Sequence, residues 1–235
     1  MSAFAGFPPD LFDFLAELSM NNNREWFEAN KARYEASVRE PARAFIRAMA
    51  PRLSRMSDHF VADDRKVGGS LMRVYRDTRF SHDKTPYKTN VGIQFRHVVG
   101  KDVHAPGLYL HLANPGPGED DGLFVGAGTW HPDKEPLAQI RAAIAERPEA
   151  WQAATAGAGF QRDWRLGGES LKRAPKGFDP AHPAIADICR KDFIAVTSLA
   201  ADEVLTPDFA DRLMDRLLET KAFVAFLCQA MGAAF

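Results

Sequence analysis

Cysteine is nearly absent: Cys189 and Cys228 are the only two in 235 residues, too few for a disulfide framework or a zinc cluster. Long apolar runs are missing too. None approaches the ~20 residues that span a bilayer, and the opening MSAFAGFPPD has neither the charged stretch nor the apolar core of a secretory signal. These absences point to a cytoplasmic protein without a membrane partner. Net charge is also lacking, with 30 Lys+Arg against 31 Asp+Glu, which argues against a protein that coats nucleic acid by neutralising phosphates. Both nucleotide fingerprints, GxxxxGK[ST] and GxGxxG after a strand, are missing. What is present is an ordinary globular composition, 46% hydrophobic and 26% charged, in a chain long enough to build a sizeable core.

The pattern is helical, then extended, then helical again. Pro8-Pro9 opens a stretch in which Leu11, Phe12, Leu15 and Leu18 share a face. Asn22 with Glu25 has the form of a capping box for a second helix, Asn23 to about Val38, carrying Trp26, Phe27, Asn30 and Tyr34. Pro41 starts a third, with Phe45, Ile46, Met49 and Leu53 as its stripe and a kink near Pro51. After about residue 57 the apolar period shortens from about 3.6 to 2. Ser70–Tyr75, Val91–Val98, Leu108–Ala113 and Leu123–Trp130 read as strands whose connections suit antiparallel pairing. On the second, Val91, Ile93, Phe95 and His97 share a face; on the third, Tyr109 and His111 lie opposite Leu108, Leu110 and Leu112.

Helices return from Asp133, through Leu137, Ile140 and Ile144 and then Pro148–Thr155. Gly157–Phe178 reads as irregular, Phe193–Leu199 as a late strand, and Thr206-Pro207 opens a helical run to about Met231. Asn114–Gly122 has the length of a loop, not of a domain linker. The expectation is a single α+β domain over residues 1–235. Its mainly antiparallel sheet would take about residues 60–130 plus a late strand near 193–199, flanked by N-terminal and C-terminal helices.

Charge is balanced overall but not locally. Residues 65–101 hold nine cations against Asp77 and Asp83, a balance of +7, and residues 102–135 hold six carboxylates against Lys134, a balance of −5. Within the basic stretch, Arg73–Lys88 reads RVYRDTRFSHDKTPYK, five cations in sixteen residues. Arg73, Arg76 and Arg79 offer planar forks suited to carboxylate or phosphate oxygens, Lys84 and Lys88 add point charges, and Tyr87 adds a hydroxyl. A turn after Tyr75 would bring Arg76 and Arg79 towards Arg73. This is the composition of a cationic pocket for a phosphate-containing or other anionic small ligand. The alternative is structural, with Asp77 and Asp83 pairing with the arginines to pin a connection between strands. Asp77, set between arginines, has its pKa pushed down and orients them instead of serving as an acid.

Arg73, Arg76, Asp77, Arg79, Phe80, Lys84, Tyr87 and Lys88 fit the string R-x-x-R-D-x-R-F-x-x-x-K-x-x-Y-K without gap or mismatch. That string resembles the signature of the mostly bacterial domain-of-unknown-function family 2461. NNNREWF at Asn21–Phe27, with Asn30 and Tyr34, resembles the same family, as do GAGTWHP at Gly126–Pro132 and LKRAPKGF at Leu171–Phe178. The resemblance spans roughly residues 7–231. It implies a cytosolic, single-domain bacterial protein of this length, and it carries over no activity.

Of seven histidines, His97, His104, His111 and His131 fall in the strand region, but no pair has zinc-site spacing, so no metal is expected. His97, on an apolar face, reads as a core residue, whereas His111, beside Tyr109 on the face of Gln94 and Arg96, reads as lining the pocket. Gly126-Ala127-Gly128 inside a strand marks a bulge or a close backbone approach. Arg162, Arg165, Lys172, Arg173 and Lys176 form a second basic patch, either solvated or an extension of the anion site. Ser70, Ser81 and Ser198 lack the elbow glycines of a nucleophile, and nothing names a cofactor. The candidate ligand-binding set is Arg73, Arg76, Asp77, Arg79, Lys84, Tyr87, Lys88 and His111. It supports an enzyme or sensor for an anionic small molecule. The alternatives are a nucleic-acid-binding module stacking bases on Tyr75, Phe80 and Tyr87, and a scaffold in which the charged cluster is structural.

Overall fold

In the computed structural model, which describes residues 3–100, 106–114 and 122–235, two amphipathic blocks of helix bury their apolar faces on one side of a sheet. The N-terminal block comprises α1 (Asp10–Met20), α2 (Arg24–Ala29), α3 (Lys31–Tyr34), a π turn at Glu35–Arg39 and α4 (Glu40–Leu53). On α1 the buried residues are Leu11, Phe14, Leu15 and Leu18, so Phe14 takes the core position expected for Phe12. The helix expected over 23–38 is interrupted at Asn30, whose side chain bonds the Trp26 carbonyl at 2.9 Å and so competes with the helical ladder. Its cap is Asn23, which accepts from the Trp26 N–H at 2.9 Å, and not Asn22. Pro41 has no N–H to offer, and the turn before it widens, the Glu40 N–H reaching back to Glu35. Pro51 lies in the last turn of α4, which stops two residues later.

The sheet strands are β1 (Phe60–Val61), β2 (Asn90–His97), β3 (Gly107–Ala113), β4 (Leu123–Thr129), β5 (Arg165–Gly167) and β6 (Phe193–Ser198). They form one six-stranded sheet in the order β1-β2-β3-β4-β6-β5, and every neighbouring pair is antiparallel. The α+β architecture is therefore the one read from the periodicities, with the late strand in the middle of the sheet's second half. Ser70–Tyr75 is not a strand; it pairs with the sheet through the isolated Leu71–Ile93 bridge, and the Ser70 hydroxyl donates to the Val61 carbonyl of β1 at 3.4 Å. The stretch read as irregular contains a helix, α7 (Ala158–Asp163), and β5. Between these elements lie α5 (Lys134–Glu146), α6 (Pro148–Thr155) and α8 (Ile185–Ile188). The C-terminal run is α9 (Ala201–Val204), α10 (Phe209–Leu218) and α11 (Lys221–Ala230). The last two are separated at Thr220, a buried residue whose hydroxyl donates to the Leu217 carbonyl at 2.7 Å. The expected loop at Asn114–Gly122 lies almost wholly outside the described residues.

Alternation decides which sheet face is covered. Ile93, Phe95, Leu108, Leu110, Val125 and Phe193 point to the helices and are essentially inaccessible. Phe45 meets Phe95 from α4 (ring centroids 6.2 Å) and Trp151 meets Phe193 from α6 (6.0 Å). A second aromatic cluster, Phe7–Phe45–Phe209 with centroids 5.4 and 5.6 Å from Phe45, joins α4 to α10. The opposite face carries Gln94, Tyr109, Gly126 and Val196 in one register row, and Gly92, His111 and Phe124 in the next.

Gly126 and Gly128 do not make a bulge, since β4 keeps continuous register with β3 and β6. Gly128 is the close approach. Its φ is +118°, and a Cβ there would lie 2.1 Å from the Phe193 carbonyl oxygen. Gly128→Ala must move β6 or twist the strand end, and it should lower unfolding free energy by roughly 2–4 kcal/mol in a urea titration.

Candidate functional site

Two of the family strings meet in space. Residues 74–76 pair with 86–88 through the Tyr75–Tyr87 bridge, with Arg76 N–H to Pro86 O at 2.9 Å and Lys88 N–H to Val74 O at 2.7 Å. The segment 77–85 closes this strap as an exposed loop. Asn22, in the turn between α1 and α2, uses its whole carboxamide on Tyr87: Nδ2 donates to the carbonyl at 2.9 Å and Oδ1 accepts from the N–H at 3.0 Å. The Tyr87 ring stacks on Phe27 of α2 at 4.0 Å. Asn22 had read only as part of a turn and cap, yet a run of three asparagines exceeds what one cap uses.

A cleft of about 790 Å³ opens between this turn and the strap, with Arg24, Glu28, Tyr75, Arg76, Thr78 and Lys84 among its walls. Of the expected set, Arg76, Lys84 and Tyr87 line it. Arg73, Asp77, Arg79, Lys88 and His111 do not. Arg76 bonds Asp83 and Thr85, and its guanidinium, with the Thr85 groups that also bond Asp83, holds that carboxyl down at about 2. Arg79 forks onto Asp77 (2.9 and 2.6 Å) and holds that carboxyl well below the usual range. Lys84 reaches the Thr78 carbonyl at 2.8 Å. Three of the five cations are thus satisfied within the loop. Arg73 and Lys88 make no ion pair among the described residues; burial, and secondarily Arg73, pushes the Lys88 ammonium below its ordinary value. Arg24, which the sequence reading missed, has no counter-ion either, because the neighbouring Glu28 is paired with Lys31 at 3.0 Å.

His111 lies elsewhere, in a separate cavity of about 360 Å³ on the sheet face opposite the helices. It stacks on Phe124 at 4.5 Å, while its Nδ1 faces the Tyr109 hydroxyl at 3.0 Å and the Asn90 amide nitrogen at 3.5 Å. Burial pushes the Tyr109 hydroxyl up to about 12, so it stays protonated and able to donate, while the Asn90 amide nitrogen can only donate. Nδ1 is therefore the acceptor, and the proton of the neutral ring sits on Nε2. His97 is a core residue bonded through Nε2 to the Ala234 carbonyl at 2.8 Å; His104 lies outside the described residues. No three metal-ligating side chains converge among the described residues.

GAGTWHP has a third use. The chain turns at His131 with φ +47°, a value non-glycine residues rarely adopt. Asp192, 1% exposed, holds it by accepting the His131 N–H at 2.7 Å on one oxygen and the Glu169 N–H at 2.8 Å on the other. Each oxygen accepts a backbone N–H, and Oδ1 also faces the His131 Nδ1 at 3.1 Å, which makes this buried carboxylate a clamp between strand ends. In the second basic patch, Arg162 is paired with Asp163 at 2.7 Å.

Asn22→Ala leaves both Tyr87 backbone groups without partners and should cost about 2 kcal/mol in urea unfolding. Burial also pushes the His111 pKa below its unfolded value of 6.5. As pH falls below that value the unfolded chain takes up the proton first, so stability drops. Urea midpoints between pH 7 and 5 should fall more steeply for the natural protein than for His111→Phe.

Comparison with curated proteins and with solved structures found no match. A family model matches residues 10–226, nearly the whole chain. The two strings joined by Asn22 and Tyr87 fall within that match, and the chain belongs to the family described as conserved hypothetical protein (DUF2461).

Proposed function

We propose that this protein binds a small phosphate-containing anion in the cleft between the α1–α2 turn and the strap. Arg24 carries the reading. It is a guanidinium with no counter-ion among the described residues, it lines the cleft together with Arg76 and Lys84, and the cleft's own carboxylate, Glu28, is engaged by Lys31. Arg24 and the remaining donors of Lys84 supply charge, and the Thr78 and Thr85 side chains supply neutral hydrogen bonds. Arg76 serves chiefly as architecture, since Asp83 and Thr85 already occupy it. Arg73 and Lys88, neither of them in an ion pair among the described residues, form a second pair of cations that would hold a longer polyphosphate chain. Binding is the activity this arrangement supports; Asp77 and Asp83, held ionised by their arginines, serve to order the loop and make poor proton carriers. One observation favours nucleic acid as a second reading: Phe80 is 95% exposed with Arg79 over its ring at 5.8 Å, and Tyr75 is half exposed nearby.

Thermal unfolding with inorganic phosphate, pyrophosphate, ATP and a short single-stranded oligonucleotide, at low and high salt, separates these readings. A ligand at 100 times its Kd adds about 2.7 kcal/mol. A salt-tolerant shift with a phosphate compound, lost in Arg24→Ala while the unliganded midpoint is unchanged, is the expected outcome. A shift confined to the oligonucleotide and falling steeply with salt would favour the second reading. No shift with any phosphate compound overturns the first.

A further inference from the structure

The cavity on the sheet face opposite the helices is chemically unlike the charged cleft. Its sides are apolar or aromatic, with Met72, Tyr109, Phe124, Trp130 and Ile194 among them, and its volume of about 360 Å³ lies in the range of small-molecule sites. Its floor is open at Gly126: among the described residues a Cβ there would meet nothing nearer than the Ala195 carbonyl oxygen, at 3.8 Å. A second glycine shapes the wall. A Cβ on Gly92 would lie 2.8 Å from the Tyr109 hydroxyl and 3.1 Å from the Met72 sulfur, so its absence lets the tyrosine lie against the sheet and reach His111.

Two polar side chains in this lining have donors left over. Gln94 is 7% exposed, and its carbonyl oxygen accepts from Arg96 Nε at 3.1 Å, which fixes the amide orientation. Its NH₂ group has no hydrogen-bond partner among the described residues. His111 spends Nδ1 on Tyr109 and Asn90, and its Nε2–H likewise has none. An unpartnered donor in an apolar cavity is costly unless a ligand or water satisfies it. Neither donor is charged, so the fitting acceptor is a neutral carbonyl and not an anion.

We infer that this cavity is a binding site for a flat bicyclic aromatic molecule bearing a ring carbonyl, laid over Gly126 and hydrogen-bonded by Gln94 and His111. The ring fills the space that the missing Gly126 side chain leaves and packs against the Phe124–His111 stack and Trp130. The site is independent of the anion cleft, and neither reading needs the other.

Coumarin, chromone and 4-quinolone, each compared with naphthalene, are the probes for titration calorimetry on the full chain. At least one carbonyl compound should bind with a Kd below about 1 mM, and naphthalene, similar in shape but without an acceptor, should bind about tenfold more weakly. Gly126→Val fills the floor without a backbone clash and should weaken binding by at least about tenfold with the thermal midpoint retained. Should that variant fail to fold, methyl NMR of the unmodified protein locates the site, with ligand-induced shifts expected at Met72, Ile194 and Val196. Failure of all three carbonyl compounds to bind overturns the inference. So does naphthalene binding equally well, binding unaffected by Gly126→Val, or shifts that miss those methyl groups.

Discussion

One side-chain amide ties the N-terminal helices to the basic strap. Asn22 satisfies the Tyr87 backbone on both its donor and its acceptor, doing for that residue what a neighbouring strand would do. The Tyr87–Phe27 stack then fixes the orientation as well as the distance. Everything charged in this region is positioned by that uncharged contact: Arg24 stands two residues beyond Asn22, and Arg76 and Lys84 stand on the strap that Tyr87 closes. The arginine pairs order only the loop, and they are exposed enough that solvent screens them. Shape in this part of the molecule is set by neutral groups, and charge is placed on top of it.

The sheet was legible because its signal is local. Leu108, Leu110 and Leu112 alternate with Tyr109 and His111, and that parity survives in the structure, as does the antiparallel pairing. What the pattern could not supply was the partner of each polar side chain. Asn30 bonds its own helix and breaks it. Of the asparagines before α2, one caps and another crosses to a residue 65 positions away. Ser70–Tyr75 has strand composition, but β1 already takes part of the β2 edge, leaving only an isolated bridge.

The basic string illustrates the same limit for function. Its density of cations is plain in the sequence, but whether an arginine faces a ligand or an aspartate depends on a turn two residues long, as at Asp77 and Arg79. Arg24 escaped notice because it is a lone cation in a helical segment. His111 was placed on the correct face of its strand, beside Tyr109, but it lies in a cavity apart from the basic strap, since parity gives a side of the sheet and not what lies above it. The outcome is two places of opposite chemistry, one rich in charge and open, the other apolar with two idle neutral donors.

The outer strands of the sheet are its shortest: β1 has two residues and β5 three, against eight in β2 and six in β6. A long bare edge would offer a row of backbone groups to any other extended chain, the usual route to edge-to-edge aggregation. Here that row is cut to a few residues at either side. The sheet can therefore carry a face free of helices among the described residues without also presenting a template on which copies of the protein could polymerise.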